Sequence, residues 1–181
     1  MANSKIDDST LMSHVGAGDM SALGELVSRH QDRVLEIAFR TLGRWDLAED
    51  VAQETFLRVH RAARKYKPKA KFTTWLYRIV VNLCLDEKRK RARSGMSLED
   101  APIDAGTVPN GNIIEKKETT ELVKAAVDGL PERQRIALVL HRYEGLSHGQ
   151  IAEATGWSSS AVESLLVRAY ANLRKKLDKI K

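Results

Sequence analysis

Apolar residues recur at helical spacing along most of the 181-residue chain. This pattern predicts helices at about 8–17, 20–42, 46–65, 73–92, 118–128, 132–143, 147–154 and 158–178. No run alternates apolar and polar residues as a half-buried strand does. Pro68 and Pro131 fall between the predicted helices, where the missing backbone N–H is tolerated. We therefore expect an all-α fold.

One stretch after the fourth predicted helix lacks this spacing. The segment SGMSLEDAPIDAGTVPNGN contains Pro102, Pro109 and three glycines, a composition typical of a linker. We predict two small helical domains, residues 1–93 and 119–181, joined by a flexible linker over 94–118. A coil of about 20 residues averages roughly 25 Å end to end and stretches to about 70 Å, so the domains could reach well-separated places on one partner.

The distribution of charge indicates the class of partner. There are 30 Lys or Arg residues and 24 Asp or Glu residues, a net charge of +6, which favours a polyanionic partner. Twelve basic residues lie between Arg61 and Arg93, against only Asp86 and Glu87. The single cysteine, Cys84, excludes a disulfide scaffold. Because the chain has no long apolar run and no apolar leader, we expect a cytoplasmic protein without membrane insertion.

The third predicted helix carries an acidic arc opposite an apolar one. Asp46 and Glu49 resemble a capping box that would start this helix. The candidate binding residues on the arc are Asp46, Glu49, Asp50, Gln53 and Glu54. The alternative is a solvated face whose acids only complement the helix dipole.

A basic loop follows, in the segment RAARKYKPKAKFTTW. It places Tyr66, Phe72 and Trp75 among lysines, and Pro68 prevents a continuous helix. Lysines neutralise phosphates, and each exposed ring offers a stacking surface of about 1–3 kcal/mol per base, so the segment indicates single-stranded nucleic-acid binding. The alternative is that Phe72 and Trp75 anchor the loop to the core.

The helix after this loop continues the basic surface. Arg78, Asn82, Asp86 and Arg89 form a polar stripe beside an apolar arc. Asn82 could read a base edge, or it could be an ordinary surface amide. The candidate nucleic-acid residues of the loop and this helix are Lys67, Lys69, Lys71, Phe72, Trp75, Arg78, Asn82 and Arg89.

The segment LSHGQIAEATGWSSSAVESLLVRAYANLRKKL predicts a helix-turn-helix. Ala152, Gly156, Val162 and Leu165 stand where the helices must touch and turn. The outward face of the second helix is small and polar near its start, which permits close approach to a major groove. Its candidate residues are Ser158, Ser159, Ser160, Glu163, Ser164, Val167, Arg168, Arg174 and Lys175. The alternative is a helical hairpin that contacts only protein.

Together these motifs resemble bacterial RNA polymerase sigma factors of the extracytoplasmic-function (ECF) type. AEDVAQETFLRV is similar to region 2.2, FTTWLYRIVVNLCLDEKRKR to regions 2.3 and 2.4, and LPERQRIALVLHRYEGLSHGQIAEATGWSSSAVESLLVRAYANLRKKL to region 4. The resemblance implies a sigma-2 and a sigma-4 domain, without sigma-1.1 or sigma-3. It also implies a promoter-specificity subunit of RNA polymerase that performs no chemistry and needs no cofactor or metal.

The resemblance further implies a role for each surface. The acidic arc would dock on the clamp helices of the largest polymerase subunit, and the polymerase flap would be a further contact. The loop from Lys67 to Phe72 and the helix after it would capture the promoter −10 element as it opens, with one base held out of the stack. The helix from Ser159 would read the −35 element as duplex, and an anti-sigma factor is a possible partner. Glu163 stands where many members of the family carry a basic residue. The promoter sequence that those members read therefore cannot be transferred to this chain.

Two other classes of function are alternatives to this one. A stand-alone dimeric helix-turn-helix regulator would need a palindrome with two half-sites. An enzyme acting on nucleic acid is disfavoured, because the five histidines show no metal-ligand spacing and there is no glycine-rich phosphate loop. Cys84 lies in a predicted apolar helix, which does not suit a reactive thiol.

Overall fold

The computed structural model of the protein describes residues 6–94 and 117–178, with side chains from residue 123 onward in the second range. All regular structure in these two ranges is helical. The elements are α1 (Asp8–Gly16), α2 (Met20–Leu42), α3 (Trp45–Ala62), a 3₁₀ turn (Ala63–Lys65), α4 (Phe72–Arg93), α5 (Lys117–Asp128), α6 (Glu132–Arg142), α7 (His148–Thr155) and α8 (Ser159–Asp178). The predicted helices agree with these bounds to within about three residues. The predicted linker, 94–118, lies almost wholly outside the described residues.

Local capping explains several of the helix ends. The Asp19 carboxylate accepts hydrogen bonds from the backbone N–H groups of Ser21 and Ala22, at 2.9 and 3.3 Å, and starts α2. Ser147 and Gln150 form a capping box that starts α7. Gly156 ends α7 with a φ of +74°, which a side chain would disfavour, and so makes the tight turn of the helix-turn-helix.

The predicted capping box at Asp46 is wrong. Helix α3 begins one residue earlier, at Trp45, and its N-cap residue, Arg44, makes no capping hydrogen bond from its side chain. The Arg44 guanidinium instead holds the Asp46 carboxylate, with an Nε to Oδ1 distance of 3.0 Å, and lowers the pKa of that carboxyl. Glu49 accepts a hydrogen bond from the indole of Trp45 at 2.9 Å. Both carboxylates therefore have partners other than the helix N–H groups.

Helices α1 to α4 form the first domain. Helix α2 packs against α3, and α4 packs against both. The largest fully buried side chains here are Met12, Leu26, Val34, Ile37, Val59, Leu76, Val80 and Val81. The apolar arc predicted for α4 therefore faces the core.

Helices α5 to α8 form the second domain, in which α8 packs against α5, α6 and α7. Four side chains in the core of this domain are at most 1% exposed: Ile136, Leu140, Ile151 and Val162. The predicted inner face of α8 is confirmed, since Val162, Leu166 and Ala169 are buried and Leu165 and Leu173 are partly buried.

The two domains are packed against each other. Helix α4 contacts α7, and α2 contacts α6, so that buried residues of both domains join one hydrophobic cluster. The polar face of α4 and the start of the helix-turn-helix are therefore neighbours. Among the described residues, no helix is both long enough and apolar enough to cross a membrane.

Candidate nucleic-acid and protein interfaces

The acidic arc of α3 lies at the surface. Its members Asp46, Glu49, Asp50 and Gln53 are exposed, and Glu54 is partly exposed. The opposite side of α3 is buried, with Ala48, Val51 and Val59 at 0, 5 and 0% exposure. The predicted separation of an acidic face from an apolar face is therefore confirmed.

The acidic face of α3 has two further features, a carboxylate that is unpaired among the described residues and an exposed leucine. The Glu54 carboxylate accepts a hydrogen bond from Arg58 at 2.9 Å, whereas Asp50 forms no ion pair with any described residue. Leu57, which sequence reasoning missed, is 49% exposed and lies on the same face about three turns after Asp46. A helical wheel would have found it. An apolar side chain among carboxylates is a combination that protein interfaces use.

The aromatic residues of the basic loop form one cluster. The Tyr66 and Trp75 rings lie 4.9 Å apart between centroids, and the Phe72 and Trp75 rings 5.7 Å apart. Phe72 also packs on His30, at 5.3 Å, and is only 4% exposed. The prediction of an exposed Phe72 ring for base stacking is therefore wrong, because that ring anchors the start of α4 in the core. Trp75 is partly exposed and remains available.

A cavity of about 420 Å³ opens beside this cluster. It is lined by Lys65, Tyr66, Lys67, Lys69, Ala70, Thr74, Trp75, Arg78 and Glu153. Its volume falls in the range of pockets that hold small organic groups. Tyr66 lines the cavity, but its hydroxyl is buried and has no hydrogen-bond partner among the described residues. The cavity thus joins an aromatic wall to several cations.

The structure brings only some of the predicted nucleic-acid residues to this cavity. Lys71, Asn82 and Arg89 are exposed but do not line it, and Arg89 lies 3.3 Å from Asp86. Sequence reasoning missed Lys65, although it belongs to the same basic run. It also missed Glu153, for which the sequence carries no signal because that residue comes from the second domain.

The start of α8, the second helix of the helix-turn-helix, is polar and exposed. The Ser158 hydroxyl accepts from the Ala161 N–H at 3.2 Å and caps the helix. Every predicted residue of this surface is exposed: Ser158, Ser159, Ser160, Glu163, Ser164, Val167, Arg168, Arg174 and Lys175. Tyr170, 45% exposed, extends the face by one turn beyond Val167 and was missed. The arrangement is a continuous ridge of small and polar groups.

Reactive groups are scarce in these surfaces. Among residues 6–94 and 117–178, no three His, Cys, Asp or Glu side chains cluster as metal ligands would. Burial raises the pKa of the Cys84 thiol to about 12, which keeps it protonated and unreactive at neutral pH.

Comparison with known proteins decides the family. Sigma-70 region 2 matches residues 26–94, and Sigma-70, region 4 matches residues 120–173. The chain is 31% identical over 184 residues to the ECF RNA polymerase sigma-E factor of Haemophilus influenzae, and the match covers 96% of each protein. The chain belongs to the ECF family of RNA polymerase sigma factors. It is an initiation factor for transcription. A stand-alone helix-turn-helix regulator is not favoured, because the chain matches both region 2 and region 4 of sigma factors.

Other ECF sigma factors resemble this one in sequence and fold. It is 38% identical over 170 residues to the ECF RNA polymerase sigma factor SigE of Mycolicibacterium smegmatis, covering 90% of this chain and 65% of that longer protein. The solved structure of CnrH, in complex with the cytosolic domain of CnrY, is 28% identical, with a TM-score of 0.69 and coverage of 96 and 99%. RpoE from Bartonella quintana, solved with the anti-sigma factor NepR, is 21% identical, with a TM-score of 0.72 and coverage of 86 and 96%, and supports the fold alone.

Proposed function

We propose that this ECF sigma factor binds core RNA polymerase in the cytoplasm, directs it to promoters with −10 and −35 elements, and helps to open the −10 element without performing chemistry. The observation that carries the proposal is the presence of three exposed surfaces of different chemistry on one chain. These are an acidic helix face with an exposed leucine, a cation-lined aromatic cavity, and a small polar helix ridge. Each surface suits a different partner.

The acidic face of α3 is the proposed polymerase contact. Asp46, Glu49, Asp50, Gln53 and Glu54 would meet the clamp helices of the largest subunit, with Leu57 as an apolar contact between the carboxylates. The region 4 domain would meet the polymerase flap. Complementary charge would chiefly accelerate association and select the partner.

The cavity is the proposed site for an unstacked base of the −10 element. A base lying against Trp75 would find stacking area, and its phosphates would lie near Lys67, Lys69 and Arg78. Lys71, Asn82 and Arg89, exposed along the same side, would continue the track for the strand.

The ridge of α8 is the proposed −35 contact, because small side chains let a helix enter the major groove of a closed duplex. Ser158 to Ser160 would meet phosphate at the helix start. Glu163 can accept from a cytosine amino group, and Arg168 can contact guanine or phosphate. Arg174 and Lys175 would add affinity without sequence preference.

An anti-sigma partner is part of the proposal. RpoE of Bartonella quintana was solved with an anti-sigma factor, and CnrH was solved with the cytosolic domain of a second protein. Copurification of tagged sigma factor from its native host, followed by identification of bound protein, tests this part.

The polymerase contact is tested by the double variant Asp50→Arg with Glu54→Arg. We expect affinity for core polymerase to fall by at least about tenfold, because two carboxylates of the contact reverse sign. Binding of the same variant to duplex −35 DNA should not change. Asp32→Arg, on the exposed side of α2, is the control for charge reversal in a helix of the same domain. Unchanged copurification of the double variant with polymerase would contradict the assignment.

A further inference from the structure

The helix-turn-helix itself carries no basic side chain of the Lys or Arg type. Residues 147–167, from the N-cap of α7 to the middle of α8, contain no Lys or Arg but two exposed carboxylates, Glu153 and Glu163. A protein that binds duplex DNA gains much of its affinity from cations that neutralise backbone phosphates. The cations that accompany the proposed groove contact of α8 therefore come from residues outside this segment.

The cations of α8 all lie toward its C-terminal end. Arg168 is the first of them, and it stands about 14 Å along the helix axis from Ser159, at about 1.5 Å per residue. Arg174 and Lys175 lie further on. The end of α8 that begins with exposed hydroxyl groups therefore has no cation on α8 itself.

A cation from α6 lies beside this end of α8. The Arg133 guanidinium carbon lies over the ring of Trp157, 4.9 Å from the ring centroid. Trp157 immediately precedes Ser158, the residue that caps α8. Arg133 is exposed and forms no ion pair with any described residue. Its positive charge is therefore available to an anion that approaches the start of α8.

The backbone that carries Arg133 is held in place by the residues that follow it. The side chain of Gln134 is buried and accepts a hydrogen bond from the Asn172 amide of α8, at 2.8 Å. The Arg135 guanidinium donates to the backbone carbonyl of Leu130, at 3.3 Å, just before α6 begins. The start of α6 is therefore fixed relative to α8, and Arg133 with it.

Stacking on Trp157 also restrains the Arg133 side chain. Trp157 is partly buried and packs against the hydrophobic core, so its ring is a fixed support. A guanidinium that lies on an aromatic ring keeps the N–H groups at its edge free to donate, and a side chain that is already ordered loses less entropy on binding. The planar fork of these N–H groups matches the paired oxygens of a phosphate.

We propose that Arg133, held over Trp157, donates to a DNA backbone phosphate beside the groove that α8 enters, so that the −35 surface extends from α8 onto α6. This contact positions α8 on the duplex and reads no base, because the phosphate is the same in every sequence. The inference rests on the proposed −35 role of α8.

The test compares Arg133→Ala with Arg142→Ala in the full chain. Both arginines are exposed and lie on α6, but they are about 14 Å apart along its axis, so the two variants lose the same charge at opposite ends of one helix. Fluorescence anisotropy measures binding to two duplexes of about 20 base pairs, over a range of salt concentrations. One duplex carries a −35 element selected by run-off transcription, and the other has the same bases in shuffled order.

We expect Arg133→Ala to reduce the slope of log affinity against log salt concentration by about 0.9 on both duplexes, the value for one phosphate contact. If the electrostatic contribution vanishes near about 1 M salt, this change is an affinity loss of about eightfold at about 0.1 M. Arg133→Lys should keep the wild-type slope and recover part of the affinity, because an ammonium group keeps the charge but lacks the planar fork. Arg142→Ala should leave both slopes unchanged.

Three results overturn the phosphate contact. They are an unchanged salt slope for Arg133→Ala, a loss confined to the −35 duplex, and equal losses for Arg133→Ala and Arg142→Ala. The second would mean that Arg133 reads a base, and the third that only the net charge of the domain matters.

A second measurement locates the contact on the DNA. Single methylphosphonate linkages, each of which removes the charge of one phosphate, are placed in turn along both strands of the −35 duplex. At least one linkage should weaken binding of the wild-type chain without weakening binding of Arg133→Ala, because that variant has already lost the contact. If every linkage has the same effect on both proteins, Arg133 contacts no phosphate.

Arg168→Ala, measured on the same duplexes, separates this inference from the −35 role of α8. If Arg168→Ala weakens binding to the −35 duplex and Arg133→Ala changes nothing, the −35 role stands and the contact of Arg133 is wrong. If neither variant changes binding, the −35 role of the ridge is wrong as well. If only Arg133→Ala changes binding, Arg133 meets DNA away from α8, which also overturns the inference.

Discussion

The surfaces proposed for the two promoter elements differ in shape although both are built on helices. The −10 surface is a cavity of about 420 Å³ in which Trp75 and Tyr66 form an aromatic wall beside cations. The −35 surface is a ridge on α8, where Ser160, Glu163 and Val167 stand free of the core. A cavity accepts a base only after that base has left its stack, whereas a ridge fits the groove of an intact duplex.

The contrast extends to how each surface is supported. The aromatic wall depends on Phe72, whose buried ring orients Trp75 from the core side. The ridge needs no such anchor, because the exposed and buried faces of α8 follow from helical periodicity alone. Substitutions near the cavity should therefore affect stability and binding together, and substitutions on the ridge should affect binding only.

The largest expected effect is on stability. Phe72→Ala removes a buried ring that contacts three other rings, and should lower the free energy of unfolding by about 3–5 kcal/mol. Val167→Ala, at a position that is 65% exposed on the ridge, should change it by less than about 0.5 kcal/mol. Chemical denaturation measures both. Similar losses of unfolding free energy for the two variants would contradict the claim that only the cavity depends on a buried anchor.

The next effect is on single-strand binding. Trp75→Ala removes the partly exposed ring that lines the cavity and should weaken binding to single-stranded DNA by about 1–3 kcal/mol, or roughly 5- to 150-fold. Trp75→Phe keeps a ring and should restore much of that affinity. Both variants should bind a duplex −35 site as the wild type does. A loss on duplex equal to the loss on single strand would mean that the cavity does not discriminate between them.

Arg168→Ala should reverse this selectivity. Loss of its contact to guanine or phosphate should cost about 1–2 kcal/mol at a duplex −35 site and leave single-strand binding unchanged. In transcription from a promoter series, dependence on the −35 element should change more than dependence on the −10 element. Arg142→Ala, exposed at the end of α6, is the matched control. Equal loss at both elements would contradict the proposed role of the ridge.

The smallest expected effect is on the pH dependence of stability, at Lys88 of α4. This side chain lies near charged residues of the second domain. Burial lowers the pKa of Lys88 to about 8, and Arg135 contributes to the shift by repulsion. Between about pH 8 and 10.5 the unfolded chain therefore binds more protons at this site, so its contribution to stability rises with pH. Lys88→Met should raise the free energy of unfolding by about 1 kcal/mol at pH 7, with the gain fading towards pH 10.

The control for that variant is Lys90→Met, because the Lys90 side chain is 75% exposed. Its stability should differ from that of the wild type by a small and nearly constant amount across the same pH range. The pKa of Tyr77, raised to about 12, lowers stability at high pH in all three proteins and cancels in the comparison, whereas the raised pKa of Cys84 does not cancel fully because Lys88 lowers it. A gain for Lys88→Met that does not vary with pH would show that the effect is not one of charge.

Most of the fold followed from local patterns, and the exceptions are cases of tertiary packing. Apolar spacing, together with breaks such as Pro131 and Gly156, placed the helix bounds to within a few residues. The same spacing could not show that Phe72 is buried, because its partner His30 lies far away in sequence. Nor could it show that Arg44 takes the Asp46 carboxylate.

The contact between domains was beyond sequence reasoning for the same reason. The Tyr77 hydroxyl donates to the Glu144 carboxylate, but the two residues are 67 residues apart, and no pattern in the sequence pairs them. Glu153 enters the cavity only because α7 packs on α4. By contrast, the exposed residues of α8 could be identified in advance, since position on one helix face suffices to expose them.

The measurement that tests the central claim most directly is run-off transcription with purified sigma-free bacterial core polymerase and a library of upstream regions. The account predicts discrete start sites that appear only when this chain is added. It also predicts that the upstream regions selected share two conserved elements, one near −10 and one near −35. Transcription without start-site selection, or selection through a single palindromic element, would contradict it.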